Sequence, residues 1–227
     1  MKFKIPEPWL SNKPIYKYIP KEYLKDFFER GILRIGTLLD FQNEEQHGVK
    51  RGDRNEGLKN IYENLNIHIE DPNKEKLSDF ARGFINNKGK NNKFENVLLD
   101  KTFISSDYYI LCFSKNYDRH LLKKFGGGCI KVKKPYKFIK TISIVLFNTG
   151  FTVNKNSCIS PIKYTNRKQD YHSHDQIHPV FIKDNIKSFT EEKEVRAIWT
   201  PIEQKLEPQY IKLDKKYINR FCEQYFP

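Results

Sequence analysis

The run Tyr108-Tyr109-Ile110-Leu111-Cys112-Phe113 is apolar at every position. A strand of this composition is buried on both faces, so it belongs inside a sheet that is covered above and below. The rest of the chain must supply the flanking strands and the covering layers. At 227 residues it has the length for one domain with a sizeable core, and residues 1–227 are read as a single domain.

Strand and helix signals alternate along the sequence. Pro14–Ile19 reads as a short strand, and Pro20 opens a helix with Tyr23, Leu24, Phe27 and Phe28 at helical spacing. Gly31 suits the position after that helix, and Ile32–Leu38 follows as a second strand. Gln42–Gly57 is charged and without period, a solvated loop. Asn64–Glu70 alternates as a strand, Asp71-Pro72-Asn73 turns the chain, and Lys76–Phe84 has a helical pattern. Asn86–Lys93 is biased in composition and reads as a loop. Asp118–Phe125 predicts a helix that ends at Gly126-Gly127-Gly128, read as a turn, and Cys129–Val132 restarts a strand. Ile142–Phe147 and Val153–Tyr164 read as further strands. Ile211 and Leu213 form a last short one, and Lys215–Tyr225 closes as a helix. The sum is a mixed α+β domain without internal repeats.

Near the end stands Glu191-Glu192-Lys193-Glu194-Val195-Arg196-Ala197-Ile198-Trp199. From Glu194 onward it alternates, with Val195, Ala197 and Trp199 on one face and Glu194, Arg196 and Ile198 on the other. Glu192 and Glu194, two apart, point to the same side if both are extended. Two carboxylates so placed can stabilise a developing positive charge or divide acid and base work between them. The same residues also read as a solvated acidic turn before an edge strand.

Lys and Arg number 41 against 28 Asp and Glu, a formal net charge of +13. That excess favours nucleic acid, an anionic cofactor or an acidic protein as partner. It concentrates between Lys115 and Lys140. There Lys115, Arg119, Lys123, Lys124, Lys131, Lys133, Lys134, Lys137 and Lys140 face only Asp118, with Tyr117, Phe125, Tyr136 and Phe138 interleaved. Cations among aromatic rings suit a single-stranded nucleic acid, which makes Lys123, Lys124, Lys131, Lys133 and Lys134 candidate acceptor contacts. A solvated lysine face over core aromatics is the plainer alternative. The four cysteines are scattered, so neither a zinc knuckle nor a disulfide framework is indicated. No apolar run is long enough to span a bilayer and no signal-peptide stretch opens the chain, so a cytoplasmic protein away from membranes is expected. His172-Ser173-His174-Asp175 with His178 completes no metal motif, and no metal is expected. A histidine loop that touches substrate, or a metal-dependent nuclease built on it, are the remaining readings.

Ile15-Tyr16-Lys17-Tyr18-Ile19, then Tyr23-Leu24, Phe27-Phe28 and Gly31, then Leu33-Arg34-Ile35-Gly36-Thr37-Leu38 resembles the opening of bacterial ADP-ribosyltransferase-like proteins, DarT-like and RNA 2′-phosphotransferase-like enzymes among them. Closer still is the likeness of Ile15-Tyr16-Lys17-Tyr18, Cys112-Phe113-Ser114 and Glu192-Lys193-Glu194-Val195-Arg196 to the ordered "LYKY", "CFS", "ExExR" set of a large bacterial family, spread over most of the chain. The resemblance implies a split β-sandwich with short flanking helices and NAD as co-substrate between the sheets. It implies Glu194 as the catalytic glutamate and Glu192 as its upstream partner. Tyr16, Lys17, Tyr18, Arg34 and Ser114 would then hold NAD, with Tyr18 or Tyr109 stacking on nicotinamide. Where such enzymes use His or Arg at the first strand, this chain has Lys17, a point charge without a planar fork. Small enzymes of this kind serve as toxins in toxin–antitoxin or anti-phage systems. The expected partners are therefore nucleic acid, RNA foremost, and an antitoxin protein. A non-catalytic nucleic-acid-binding protein on the same scaffold is the alternative.

Overall fold

The computed structural model describes residues 13–43, 53–71, 77–86, 91–174 and 176–226. The expected turn at Asp71-Pro72-Asn73 and loop at 86–93 fall partly outside them. The chain is a mixed α+β fold dominated by strands. No helix among the described residues is long and apolar enough to cross a membrane.

In chain order, β1 (Ile15–Pro20), a helical turn α1 (Tyr23–Lys25) running on as a wide turn over Asp26–Arg30, and β2 (Ile32–Thr37) form the first unit. After α2 (Leu38–Gln42) come two long strands, β3 (Leu58–Ile69) and β4 (Asn92–Ile104), with α3 (Asp79–Arg82) between them. Next are β5 (Tyr109–Ser114), α4 (Arg119–Lys124), β6 (Gly127–Val132) and α5 (Pro135–Asn148). Short strands β7 (Cys158–Pro161), β8 (Lys163–Tyr164), β9 (Lys168–Asp170) and β10 (Ile182–Lys183) follow. The chain ends with α6 (Lys187–Thr190), β11 (Glu194–Trp199), β12 (Gln209–Lys212), α7 (Lys215–Phe221) and β13 (Cys222–Gln224).

The apolar run is the hub of an eight-stranded sheet. One edge of β5 pairs with β11 along its whole length, from Glu194 opposite Ser114 to Trp199 opposite Tyr109. Two strands share its other edge. β2 pairs at Tyr109 and Ile110, and β1 touches only at Ser114. β1 then leaves β5 to pair with β6, and β6 with β13, while β2 carries β12. The four steps from Ile110 to Ser114 correspond to roughly 13 Å of edge at which the sheet forks.

The alternation in β11 comes out as its residues dictate. Val195, Ala197 and Trp199 enter the main core with Phe138, Ile139, Ile142 and Leu146 of α5, and Trp199 Nε1 donates to Ser143 Oγ at 2.8 Å. Ile198 packs on the opposite face in a second cluster with Ile110, Val180 and Phe181. A third cluster lies between α3 and the β3–β4 ribbon, built on Ile61, Leu65, Ile69, Phe80 and Leu99.

Several elements depart from expectation. Ile142–Phe147 lies inside helix α5, not in a strand. Its β-branched residues read as extended, but Phe138, Ile139, Ile142, Ser143 and Leu146 are buried at helical spacing and Pro135 sits in the first turn. Of Val153–Tyr164 only Cys158–Pro161 and Lys163–Tyr164 are strand. The helix expected at Lys76–Phe84 shrinks to Asp79–Arg82, capped by Ser78. The last helix stops at Phe221 because the next three residues pair with β6. Strand β4 begins at Asn92, so Asn92 and Lys93, expected in the loop, are strand, paired with Ile69 and His68 of β3.

Gly31 closes the first helical unit at φ 76°, its N–H bonded to Phe27 O at 3.1 Å. A Cβ there would sit 2.2 Å from Leu213 O, where Leu213 N–H donates to Gly31 O at 2.8 Å. Gly31→Ala therefore meets both a left-handed backbone, roughly 1–2 kcal/mol unfavourable, and a clash with β12's continuation. Urea unfolding is expected to show a loss of about 2 kcal/mol or more for this variant.

Candidate active site

The fork in the sheet opens into a cavity of about 740 Å³. Tyr16, Lys17, Tyr18, Arg34, Ser114, Glu192 and Glu194 all line it, together with Cys112, Phe41, Phe125, Glu56, Lys183 and Arg196. The fork explains the convergence. β1 supplies the first three residues, β2 supplies Arg34, the end of β5 supplies Ser114, and β11 with its entering turn supplies the glutamates.

Glu194 begins β11, 4% exposed. Its Oε1 accepts from Arg196, at 2.9 Å from Nε and 2.8 Å from Nη2. Its Oε2 lies 2.7 Å from Lys183 Nζ, a charge contact off the hydrogen-bonding direction, and has no aligned donor among the described residues. The backbone N–H of Glu194 donates to Tyr164 Oη at 2.8 Å, which fixes where the strand starts. Lys193, just before it, turns the chain at φ 45°. That turn sets Glu192 beside Glu194 instead of extended from it. Glu192 accepts from Lys124 Nζ at 2.6 Å and from Lys183 Nζ at 3.1 Å. Arg196, 1% exposed, spends its remaining donors on Glu56 at 2.9 and 3.2 Å and on Val180 O at 2.6 Å.

Glu56, Glu192 and Glu194 thus face Lys124, Lys183 and Arg196 in one continuous network. Burial pushes the Glu194 carboxyl up, but Arg196 and Lys183 outweigh it and hold it well below the usual carboxylate range. Burial also works against the Lys183 ammonium, and Glu194, Glu192 and Glu56 more than restore it. The Cys112 thiol is pushed far up by burial and by Glu194.

The opposite wall is arranged differently. Lys17 Nζ donates to Cys112 O at 3.4 Å, on the stretch of β5 edge that the fork leaves open. It lies 5.9 Å from the Phe113 ring centre and has no carboxylate partner among the described residues. Burial pulls its pKa down and the nearby Arg34 adds to that. Arg34 uses Nη2 on both oxygens of Asp40, each at 2.8 Å, and lines the cavity. Tyr18 stacks on Phe125, centroids 6.1 Å apart at 14°. Its hydroxyl donates to Asn116 O at 3.2 Å and accepts from Asp118 N–H at 2.6 Å. Ser114 Oγ donates to Asn116 O at 2.8 Å, which pins the loop after β5. A partly neutralised carboxylate floor thus faces a cationic and aromatic wall.

Tyr109 is buried in the main core and does not line the cavity, so of the two tyrosines only Tyr18 could stack on a ligand there. Lys124 is spent on Glu192 inside the site. Lys131 and Lys133 share Glu223, at 2.8 and 3.6 Å. Lys123 on α4 and Lys134 before α5 are exposed. Of the interleaved aromatics, Phe138 is core and Tyr136 is open to solvent. His172 Nε2 lies 3.1 Å from the buried Glu63, and His178 caps the turn before β10. Among the described residues no group of three or more His, Cys, Asp or Glu is placed to hold a metal; Asp175 lies outside them.

Sequence reading missed Lys183 and Tyr164, and it took Glu56, with Asp53, only as part of a charged loop, either solvated or covering NAD or acceptor as the resemblance implies. Lys183 sits on a two-residue strand, too short to show a period. Glu56 ends a charged loop expected to be solvated, yet it is 2% exposed. Its neighbour Asp53 is likewise buried, on Arg167 Nη2 at 2.6 Å. The mixed charge of that loop was the only available signal. Compared with family models, with curated proteins and with solved structures, the chain matches none.

Removing one member of a buried ion cluster strands the others, at a typical cost of about 3–5 kcal/mol. Arg196→Met, which leaves Glu56 and Glu194 facing each other, should lose that much in urea titration at neutral pH. Since Glu194 is lowered in the folded state, its stabilisation is complete above the unfolded glutamate value, about 4.3. It is lost as pH falls below that. The gap between wild type and Arg196→Met should therefore narrow in acid, as measured by unfolding at pH 3 and pH 7.

Proposed function

We propose that this protein is an NAD-dependent mono-ADP-ribosyltransferase of the split β-sandwich kind, acting in the cytoplasm as a toxin or anti-phage effector on nucleic acid, RNA foremost. The observation that carries the reading is Glu194. It is a buried carboxylate lining a cavity opened by a forked sheet, held below the usual carboxylate range by Arg196 and Lys183, with one oxygen that has no aligned donor among the described residues.

Breaking the nicotinamide–ribose bond builds positive charge on the ribose, as in glycoside hydrolysis. In an ordinary glycoside the leaving oxygen needs a proton, so one of two carboxyl groups must be an acid. Nicotinamide is already cationic in NAD. It leaves neutral, taking the bonding electron pair, and requires no acid. A site whose carboxylates face Lys183, Lys124 and Arg196 suits that leaving group better than a sugar oxygen.

In this reading Glu194 Oε2 accepts from a ribose hydroxyl and stabilises the ribosyl cation. The acceptor's lone pair forms the new bond to the ribose carbon, and Glu192 takes the proton the acceptor loses. Lys17, with no carboxylate partner among the described residues, and Arg34 receive the diphosphate; Tyr16 and Tyr18 flank it, and Ser114 holds the loop that frames it. The stack of Tyr18 on Phe125 offers a flat face for an aromatic ring. The basic surface at Lys123, Lys131, Lys133 and Lys134 attracts a polyanionic acceptor. A toxin of this class requires an antitoxin protein as partner.

Purified protein given adenine-labelled NAD with separate pools of RNA, DNA and cell protein should release nicotinamide and label RNA. Glu194→Gln, isosteric but neutral, should reduce release by about 10²-fold or more while leaving thermal unfolding cooperative. Equal release by this variant removes Glu194 from the mechanism. No release by wild type, together with salt-dependent RNA binding, would establish the binding-protein alternative.

A further inference from the structure

The Lys183 ammonium touches both carboxylates at once, 3.1 Å from Glu192 Oε2 and 2.7 Å from Glu194 Oε2. Its stem is buried and its charge lies 5.1 Å from the centre of the Phe189 ring. β10, which carries it, pairs in parallel with β8 so that Lys183 stands opposite Tyr164. Tyr164 is the residue that accepts the N–H of Glu194. This small strand pair therefore supplies both the backbone anchor and the counter-charge for the first residue of β11. Among the described residues the pair is also faced by Lys124 from α4, Arg196 from β11, Glu56 from the loop before β3, Cys112 from β5, Lys17 from β1 and Tyr164 itself. Arg196 pairs with Glu194 and Lys124 with Glu192, whereas Lys183 pairs with both.

We propose that Lys183 is a positioning residue of the transfer reaction: its ammonium holds Glu192 and Glu194 side by side as two carboxylates, so that the site keeps two bases and no acid. The proposal rests on the transferase reading. Two carboxyl groups sharing a site without a bridging cation do not both ionise; one keeps a proton. A proton kept on Glu194 would cancel the charge that faces the ribosyl cation. A proton kept on Glu192 would leave the acceptor's proton without a destination.

The test pairs Lys183→Met, which keeps the stem and removes the charge, with Lys183→Arg. Two readouts are needed: nicotinamide release against pH, and titration of the Glu194 side-chain carboxyl by carbon NMR without NAD. In Lys183→Met the Glu194 midpoint should rise by about 1–3 pH units, the effect of an opposite charge at this range. The acid limb of kcat should move up with it, with KM changed less than kcat. Lys183→Arg should restore most of both. An unchanged Glu194 midpoint and pH profile, or an effect on KM alone, would overturn the proposal. If Lys183→Met does not fold, Lys183→Met with Glu192→Gln removes one charge of each sign, and its Glu194 midpoint should still exceed wild type. A wild type that releases no nicotinamide would refute the transferase reading, and the midpoint would then decide the bridging role by itself.

Discussion

Everything at the candidate site follows from how one edge of β5 is shared. β11 covers the opposite edge in full, whereas β2 and β1 each take one end of the near edge and diverge between them. Backbone groups in the gap need partners, because an unpaired buried carbonyl is costly. The Lys17 side chain provides one at Cys112 O. The fork thus places a lysine where a strand would otherwise be, and it opens a cavity on a sheet that would otherwise be closed by its own ladder.

The charges filling that cavity are expensive to bury. Six ionic groups within one network repay their desolvation only when each is matched in geometry. Here every carboxylate has at least one cation within 3 Å, and Arg196 donates from Nε, Nη1 and Nη2. Apolar residues of similar size would stabilise a sheet of this kind as well or better. A purely structural account therefore leaves the network unexplained, while a reaction that develops positive charge against Glu194 gives it a use.

Much of this was legible in the chain. The run ending at Phe113 had to be central, and the alternation after Glu194 had to put Glu194 and Arg196 opposite Val195, Ala197 and Trp199. Both hold because burial on two faces and a period of two leave strong marks. The residues grouped by resemblance at three distant places, Tyr16 to Tyr18, Ser114, and Glu192 with Glu194, line one cavity. Other features left no mark. Ile142–Phe147 is β-branched enough to read as strand, and only its packing against Trp199 reveals a helix. β4 is an edge strand whose sole buried side chain is Leu99, so no alternation shows. Lys183 and Glu56 come from a two-residue strand and a loop, and only tertiary structure brings them to Arg196 and Glu194. Charge density between Lys115 and Lys140 looked like one surface, yet it divides among the candidate site, an ion pair with Glu223 and open solvent.

The most direct measurement is a crystal structure with a non-hydrolysable NAD analogue in which the nicotinamide–ribose bond is replaced by carbon. The account places a ribose hydroxyl within about 3 Å of Glu194 Oε2, with the diphosphate between Lys17 and Arg34 and the cleft otherwise unchanged. Analogue bound elsewhere, or none bound at saturating concentration with the Lys183–Glu194 contact intact, would contradict it.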